Sequence, residues 1–129
     1  MFHYVLTKAA DEYAGFVKRG TRNYALVYRS IDHRTLRELC LEAAKQTPSA
    51  RYQRHLPVTG LGPRIRAFGI ALVELQEKRH AADYDPAIRV KTSDAKLAIG
   101  TALSAMARFD RAGAEEQKAF LTLLLFPPR

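Results

Sequence analysis

The chain has 129 residues, 47% apolar and 26% charged, with 21 Lys and Arg against 13 Asp and Glu for a formal net charge of +8. That balance fits one globular domain able to bury a core without metals or disulfides, and it excludes collagen-like, disordered and disulfide-rich classes. A single cysteine, Cys40, cannot close an intrachain disulfide, and no apolar run approaches the roughly eighteen residues of a membrane span. With acids by the second turn of "MFHYVLTKAADEY" the opening does not read as a signal peptide, and the cytoplasm is the expected compartment.

Helical periodicity runs along the chain. Phe2, Val5, Leu6, Ala9, Ala10 and Tyr13 recur at three- and four-residue steps, and Gly15 is a plausible stop before a turn with Gly20. "TRNYALVYRSI" places Tyr24, Val27, Tyr28 and Ile31 on one face and reads as helical rather than extended. Asp32 is a good N-cap for the next helix, whose stripe is Leu36, Leu39, Cys40 and Ala43, and Thr47-Pro48 ends it. "SARYQRHLPVTGLGP" has turn residues without a sustained period and is expected to be the one long loop.

Pro63 suits the first turn of a helix in which Ile65, Phe68, Leu72, Leu75 and Gln76 keep the three-four rhythm up to Tyr84, with Pro86 preventing continuation. Thr92 and Ser93 are candidate capping residues for a helix with Leu97, Ile99, Leu103, Met106 and Phe109 along its apolar side, stopping at Gly113. The last helix, "AEEQKAFLTLLLF", opens with two glutamates at its positive dipole end, and its Leu123–Leu125 and Phe126 are expected in the core or a subunit interface. With no alternating strand pattern, the expected fold is all-α, an up-and-down bundle of four or five helices in a single domain over residues 1–129.

Charge is concentrated in the middle. Residues 16–66 hold eleven Lys and Arg against three acids, which is essentially the whole excess of the chain. Clustered arginine, including Arg51, Arg54, Arg64 and Arg66, is the footprint of a polyanion partner such as RNA, of an acidic protein partner, or of a plainly solvated face.

One segment offers denser chemistry than any other. In "ELQEKRHAADYDP", Arg79 and Asp83 are four residues apart on a helix, as are His80 and Tyr84, so one turn presents a guanidinium, a carboxylate, an imidazole and a phenol together. His80, Asp83 and Asp85 are metal-compatible types, but their spacing matches no zinc or calcium signature, and "GLGP" lacks the lysine of a phosphate loop. No metal or other cofactor is therefore expected.

The stretch "LVELQEKRHAADYDP" resembles the helix that carries the "R..ADYD" signature in an uncharacterised branch of the HEPN superfamily, small helical proteins often found beside nucleotidyltransferase-like or toxin–antitoxin partners. "VYRSIDH" is similar to that branch's turn into its next helix, and "RFDRAGAEEQKAFLTLLLF" to its closing segment. "MFHYVLTKAADEYAG" is similar to the second half of the family's "YYAMFH" helix. The resemblance implies a HEPN-like bundle with a signature helix over 63–85 and lacking the usual first helix. The chain is thus expected to begin late, and to leave an apolar groove near Met1–Tyr13 that a second subunit fills to make a homodimer.

Catalysis is where the pattern departs. Ribonuclease members carry R-x(4–6)-H, so that a histidine works as acid–base while an arginine holds phosphoryl charge. Here Arg29 to His33 and Arg51 to His55 have three intervening residues, and Arg79 abuts His80, so Arg79 and His80 are the nearest approach to a catalytic pair and neither is assigned. The resemblance then implies a non-catalytic domain that binds RNA or a nucleic-acid-processing partner through its basic surface, with Arg79, Asp83 and Tyr84 as a recognition centre. The alternatives are an interaction module for an acidic antitoxin-like or nucleotidyltransferase-like protein, and a ribonuclease toxin with a degenerate motif. Arg79, Asp83 and Tyr84 are expected to face inward or toward a subunit cleft, in which case Arg79→Ala costs several kcal/mol.

Overall fold

The computed structural model describes residues 1–15, 21–58, 60–84 and 91–128. The expected turn at Gly20, the cations Lys18 and Arg19, and Asp85 with Pro86 lie outside the described residues. The described residues are all-helical, with no strand among them. In chain order they form α1 (Phe2–Ala10), continued by a π-helical turn over Asp11–Gly15, then α2 (Arg22–Arg29), α3 (His33–Ala44), α4 (Ala50–Gln53), α5 (Gly62–Tyr84), α6 (Thr92–Arg111) and α7 (Ala114–Leu125).

Helix starts follow local chemistry. The Thr21 hydroxyl accepts from the Tyr24 N–H at 3.3 Å, and the Asp32 carboxylate accepts from the Thr35 N–H at 2.7 Å, a bond that holds this carboxyl below its ordinary range. Thr92 and Ser93 do not cap α6 as expected: they lie inside its first turn, and Asp94 closes the start by accepting from the Lys91 N–H at 3.2 Å. Gly62 opens α5 at φ 81, a left-handed conformation that favours glycine, and the Glu116 carboxylate fills the space where a Cβ would sit.

Two helix ends are closed by arginines from elsewhere. Arg66 Nε donates to the Ala44 carbonyl at the end of α3 at 3.1 Å, and Arg64 donates to the Arg111 carbonyl at the end of α6. Gln117 adds its amide to the same end of α6, donating to the carbonyls of Phe109 and Ala112 at 2.9 and 3.0 Å. These contacts satisfy orphan carbonyls and place positive charge at the negative end of each dipole.

The long α5 lies between α3 and α6, and the core forms where α7 and α1 close over it. Phe68, Phe109 and Phe120 are fully buried, with ring centroids 5.1, 6.0 and 5.6 Å apart in tilted and edge-on arrangements. Leu36, Leu39, Cys40 and Ala43 bury as the stripe of α3 requires, and burial pushes the Cys40 thiol up to about 12, so it serves as a small apolar residue. Tyr4 ties α1 to α6 by donating to Asp110 at 2.5 Å, while Lys8 pairs with the same carboxylate at 2.8 Å. Partial burial pushes Asp110 up, but the hydrogen bonds from Lys8 and Tyr4 outweigh it and hold the carboxyl below its usual range.

Two departures from the periodicity matter for function. Tyr52, in the expected loop, is buried on the short helix α4, which anchors the connection against the core. On α6 the apolar stripe divides: Phe109 is buried and Met106 partly so, whereas Leu97, Ile99 and Leu103 remain 64, 61 and 59% exposed.

Candidate functional site

Two surfaces gather the candidate side chains. The first is an open groove of about 1420 Å³ bounded by the start of α1, by α3, by the second half of α5 and by α6. Leu36, Leu72, Leu75 and Ile99 supply apolar lining, and His33, Arg34, Arg37, Arg79, His80, Asp83 and Tyr84 supply polar and aromatic lining. Phe2 stacks on the His33 ring with centroids 3.7 Å apart, and His80 and Tyr84 stand 4.6 Å apart.

The signature turn therefore borders a cleft, but it is not buried within the chain. The Arg79 and Asp83 side chains are 82 and 60% exposed with N and O 3.8 Å apart, and Tyr84 is 76% exposed. Among the described residues no helix covers this end of α5, which removes the physical basis for a costly pair. Arg79→Ala is accordingly expected to change stability by well under about 1 kcal/mol, as for other exposed i,i+4 pairs, and a thermal melt beside the parent protein checks it.

The expected groove near Met1–Tyr13 is also relocated. It reaches only Met1 and Phe2, while Val5, Leu6, Ala9 and Ala10 are packed inside the chain. Within the groove two imidazoles and three guanidiniums share one cavity, although no linear arginine–histidine spacing announces it. Arg34 is engaged by Glu38 at 3.1 Å, Arg37 by Glu77 at 3.2 Å and Arg79 by Asp83 at 3.8 Å, so all three guanidiniums are partly neutralised. Among the described residues no group of three or more His, Cys, Asp or Glu is placed to hold a metal ion.

The second surface is basic and lies where α4 and the starts of α5 and α7 meet the end of α6. Arg51 on α4 stands 5.1 Å from the Tyr52 ring centroid, and Arg54 shares a hollow of about 520 Å³ with His55 and Lys118. Arg64 reaches Arg111 across the α5–α6 junction, and Arg108 lies one turn before Arg111 on α6. Arg51, Arg54, Arg64, Arg108, Arg111 and Lys118 form no ion pair with a described residue, and Glu115 and Glu116 are the acids at this end of α7.

Four arginines expected on the binding surface thus separate into two kinds. Arg51 and Arg54 are exposed and unpaired, whereas Arg64 and Arg66 also cap helices, and Arg66 is half-buried against α3. Sequence reading missed Arg108, Arg111 and Lys118 because residues 67–129 are nearly neutral in total. The Gly113 stop, which holds the start of α7 at the end of α6, was the signal that could have joined Lys118 to Arg108 and Arg111.

Comparison of the chain with family models, with curated proteins and with solved structures gives no match. Among the described residues no helix is long and apolar enough to cross a membrane.

Proposed function

We propose that the chain is a non-catalytic, HEPN-like helical domain that binds RNA through the basic end of its bundle. The observation that carries this reading is the merging of Arg51, Arg54 and Arg64 with Arg108, Arg111 and Lys118, cations from separate parts of the sequence that share one end and form no ion pair with a described residue. Cations free of salt bridges on a rigid helical frame suit phosphate oxygens, and Arg51 and Arg54 reach them without first breaking an ion pair. The sequence resemblance to the HEPN superfamily supports the same partner class.

The test is fluorescence anisotropy of a labelled single-stranded RNA across a salt series. Log K is expected to fall by roughly 0.7–0.9 per phosphate contacted for each tenfold rise in salt. Reversal of Arg51, Arg54 and Lys118 to glutamate should abolish binding and leave the far-ultraviolet helical signal unchanged. Arg64 and Arg66 are unsuited to that test, because their reversal would put a carboxylate against a helix carboxyl end and destabilise the fold. Salt-insensitive or absent binding overturns the RNA reading. The same cations then point to an acidic protein, of the antitoxin-like or nucleotidyltransferase-like kind, whose capture would show its own salt dependence. The RNA is expected to stay intact during the incubation. Cleavage lost on His33→Ala or His80→Ala would instead make the groove a degenerate ribonuclease site.

A further inference from the structure

The outer face of α6 has no role in the basic surface and no cover among the described residues. Residues 97–107, "LAIGTALSAMA", carry no charge, in a chain that is 26% charged overall. Their inward side supplies Ala105 to the core, and on the outward side Leu97, Ile99, Gly100, Leu103, Ser104 and Ala107 are all exposed. Leu97, Gly100, Ser104 and Ala107 follow one another at three- and four-residue steps, with Ile99 and Leu103 on the adjoining row. Residues of this type at this spacing normally meet another helix.

Gly100 sharpens the point. A glycine in mid-helix weakens the helix relative to alanine, yet a Cβ added at Gly100 would meet nothing within 4 Å, and the residue does not take a positive φ. Nothing among the described residues uses this glycine. A second helix crossing at Gly100 would, because the missing side chain lets two backbones approach closely.

We propose that the occupant of this face is a second copy of the chain, docked α6 on α6 in antiparallel fashion about a twofold axis passing Gly100. That axis places the two glycines face to face and sets Leu97 of each protomer against Leu103 of its partner, so one surface is its own complement, as a closed dimer requires. A charged partner finds little to recognise on this face: RNA meets no cation between Leu97 and Ala107, and an acidic protein meets no base. Leu97, Ile99 and Leu103 are 64, 61 and 59% exposed and adjoin one another, an apolar patch of roughly a few hundred Å², the size that marks an interaction site. Ile99 lies at the edge between this face and the groove, so docking also covers the groove wall beside the Arg79–Tyr84 turn. The dimer thus rests on α6 and not on α1, whose apolar face is already buried.

Sedimentation velocity of the full chain at about 10–100 μM tests this without reference to RNA, and so separately from the function proposed above. The wild type is expected at twice the 14.5 kDa of the chain. Leu103→Arg, which puts an unpaired charge against the apolar Leu97 of the other copy, should raise Kd by on the order of 100-fold or more and give a monomer with the parental helical signal. As a second readout, Gly100→Cys should form an intermolecular disulfide under mild oxidation, because the axis brings the two new thiols together. Glu74→Cys, exposed on α5, should not. A wild type that remains at 14.5 kDa throughout overturns the proposal and leaves the face to a different apolar helix. A dimer that survives Leu103→Arg, or that fails to cross-link through position 100, overturns it as well.

Discussion

Phe68→Ala should lower the stability of the chain by about 3–5 kcal/mol, the range for emptying a fully buried aromatic position. Phe68 is 0% exposed and sits on the inward face of α5, where its ring meets Phe109 at 5.1 Å, Phe120 at 6.0 Å and Tyr4 at 6.3 Å. One side chain therefore joins α5 to α6, α7 and α1. Its removal loses the transfer energy of the ring and leaves a hole that three other rings on three other helices cannot all move to fill. Against a total of about 5–15 kcal/mol for a domain, the loss is a large share of the whole. Urea unfolding should show the midpoint moving down at an unchanged slope. Tyr84→Ala, at the far end of the same helix and 76% exposed, should move it by less than about 0.5 kcal/mol. A shift below about 1 kcal/mol for Phe68→Ala would mean that the four helices do not converge on this ring.

The same contrast shows what could be read from the sequence. Phe68 and Leu72 on α5, and Leu36, Leu39, Cys40 and Ala43 on α3, follow helical spacing and are buried, and Asp32 caps α3 as its residue type suggests. Local periodicity identifies these because a helix has one apolar side and a core is the usual place for it. On α6 the same rule marks Leu97, Ile99 and Leu103 as apolar, but periodicity cannot say what covers an apolar side, and nothing among the described residues covers them. The candidate site was legible to a similar depth. Spacing put Arg79 beside Asp83, whereas their exposure depends on which helix passes over that end of α5. Arg64 and Arg66 read as free charges in the sequence, and only the fold brings them to carbonyls 47 and 22 residues away.

Gly69→Ala should destabilise, although alanine is the better helix former. Gly69 lies in the middle of α5 at its crossing with α3, where an added Cβ would stand 2.9 Å from the Cys40 carbonyl oxygen and 3.4 Å from the Ala43 Cβ. Two effects of opposite sign compete. Replacing a mid-helix glycine by alanine gains up to about 1 kcal/mol from backbone entropy and propensity. Overpacking a tight contact costs about 1–3 kcal/mol when the neighbour cannot rotate away. Here the neighbour is backbone in the centre of a regular helix, so α3 itself must shift, dragging Leu36, Leu39 and Cys40 out of register with the core. The packing cost should win, for a net loss of about 1–2 kcal/mol in urea unfolding. Gly100→Ala is the control, the same chemical change on α6 at a place where the new methyl group meets nothing. At concentrations low enough to keep the chain monomeric, that variant should gain up to about 1 kcal/mol. Opposite signs for the two substitutions would establish that α3 and α5 touch at Gly69 and that the outer side of α6 is free within one chain. Stabilisation by both would mean that α3 and α5 pack further apart than the 2.9 Å approach implies.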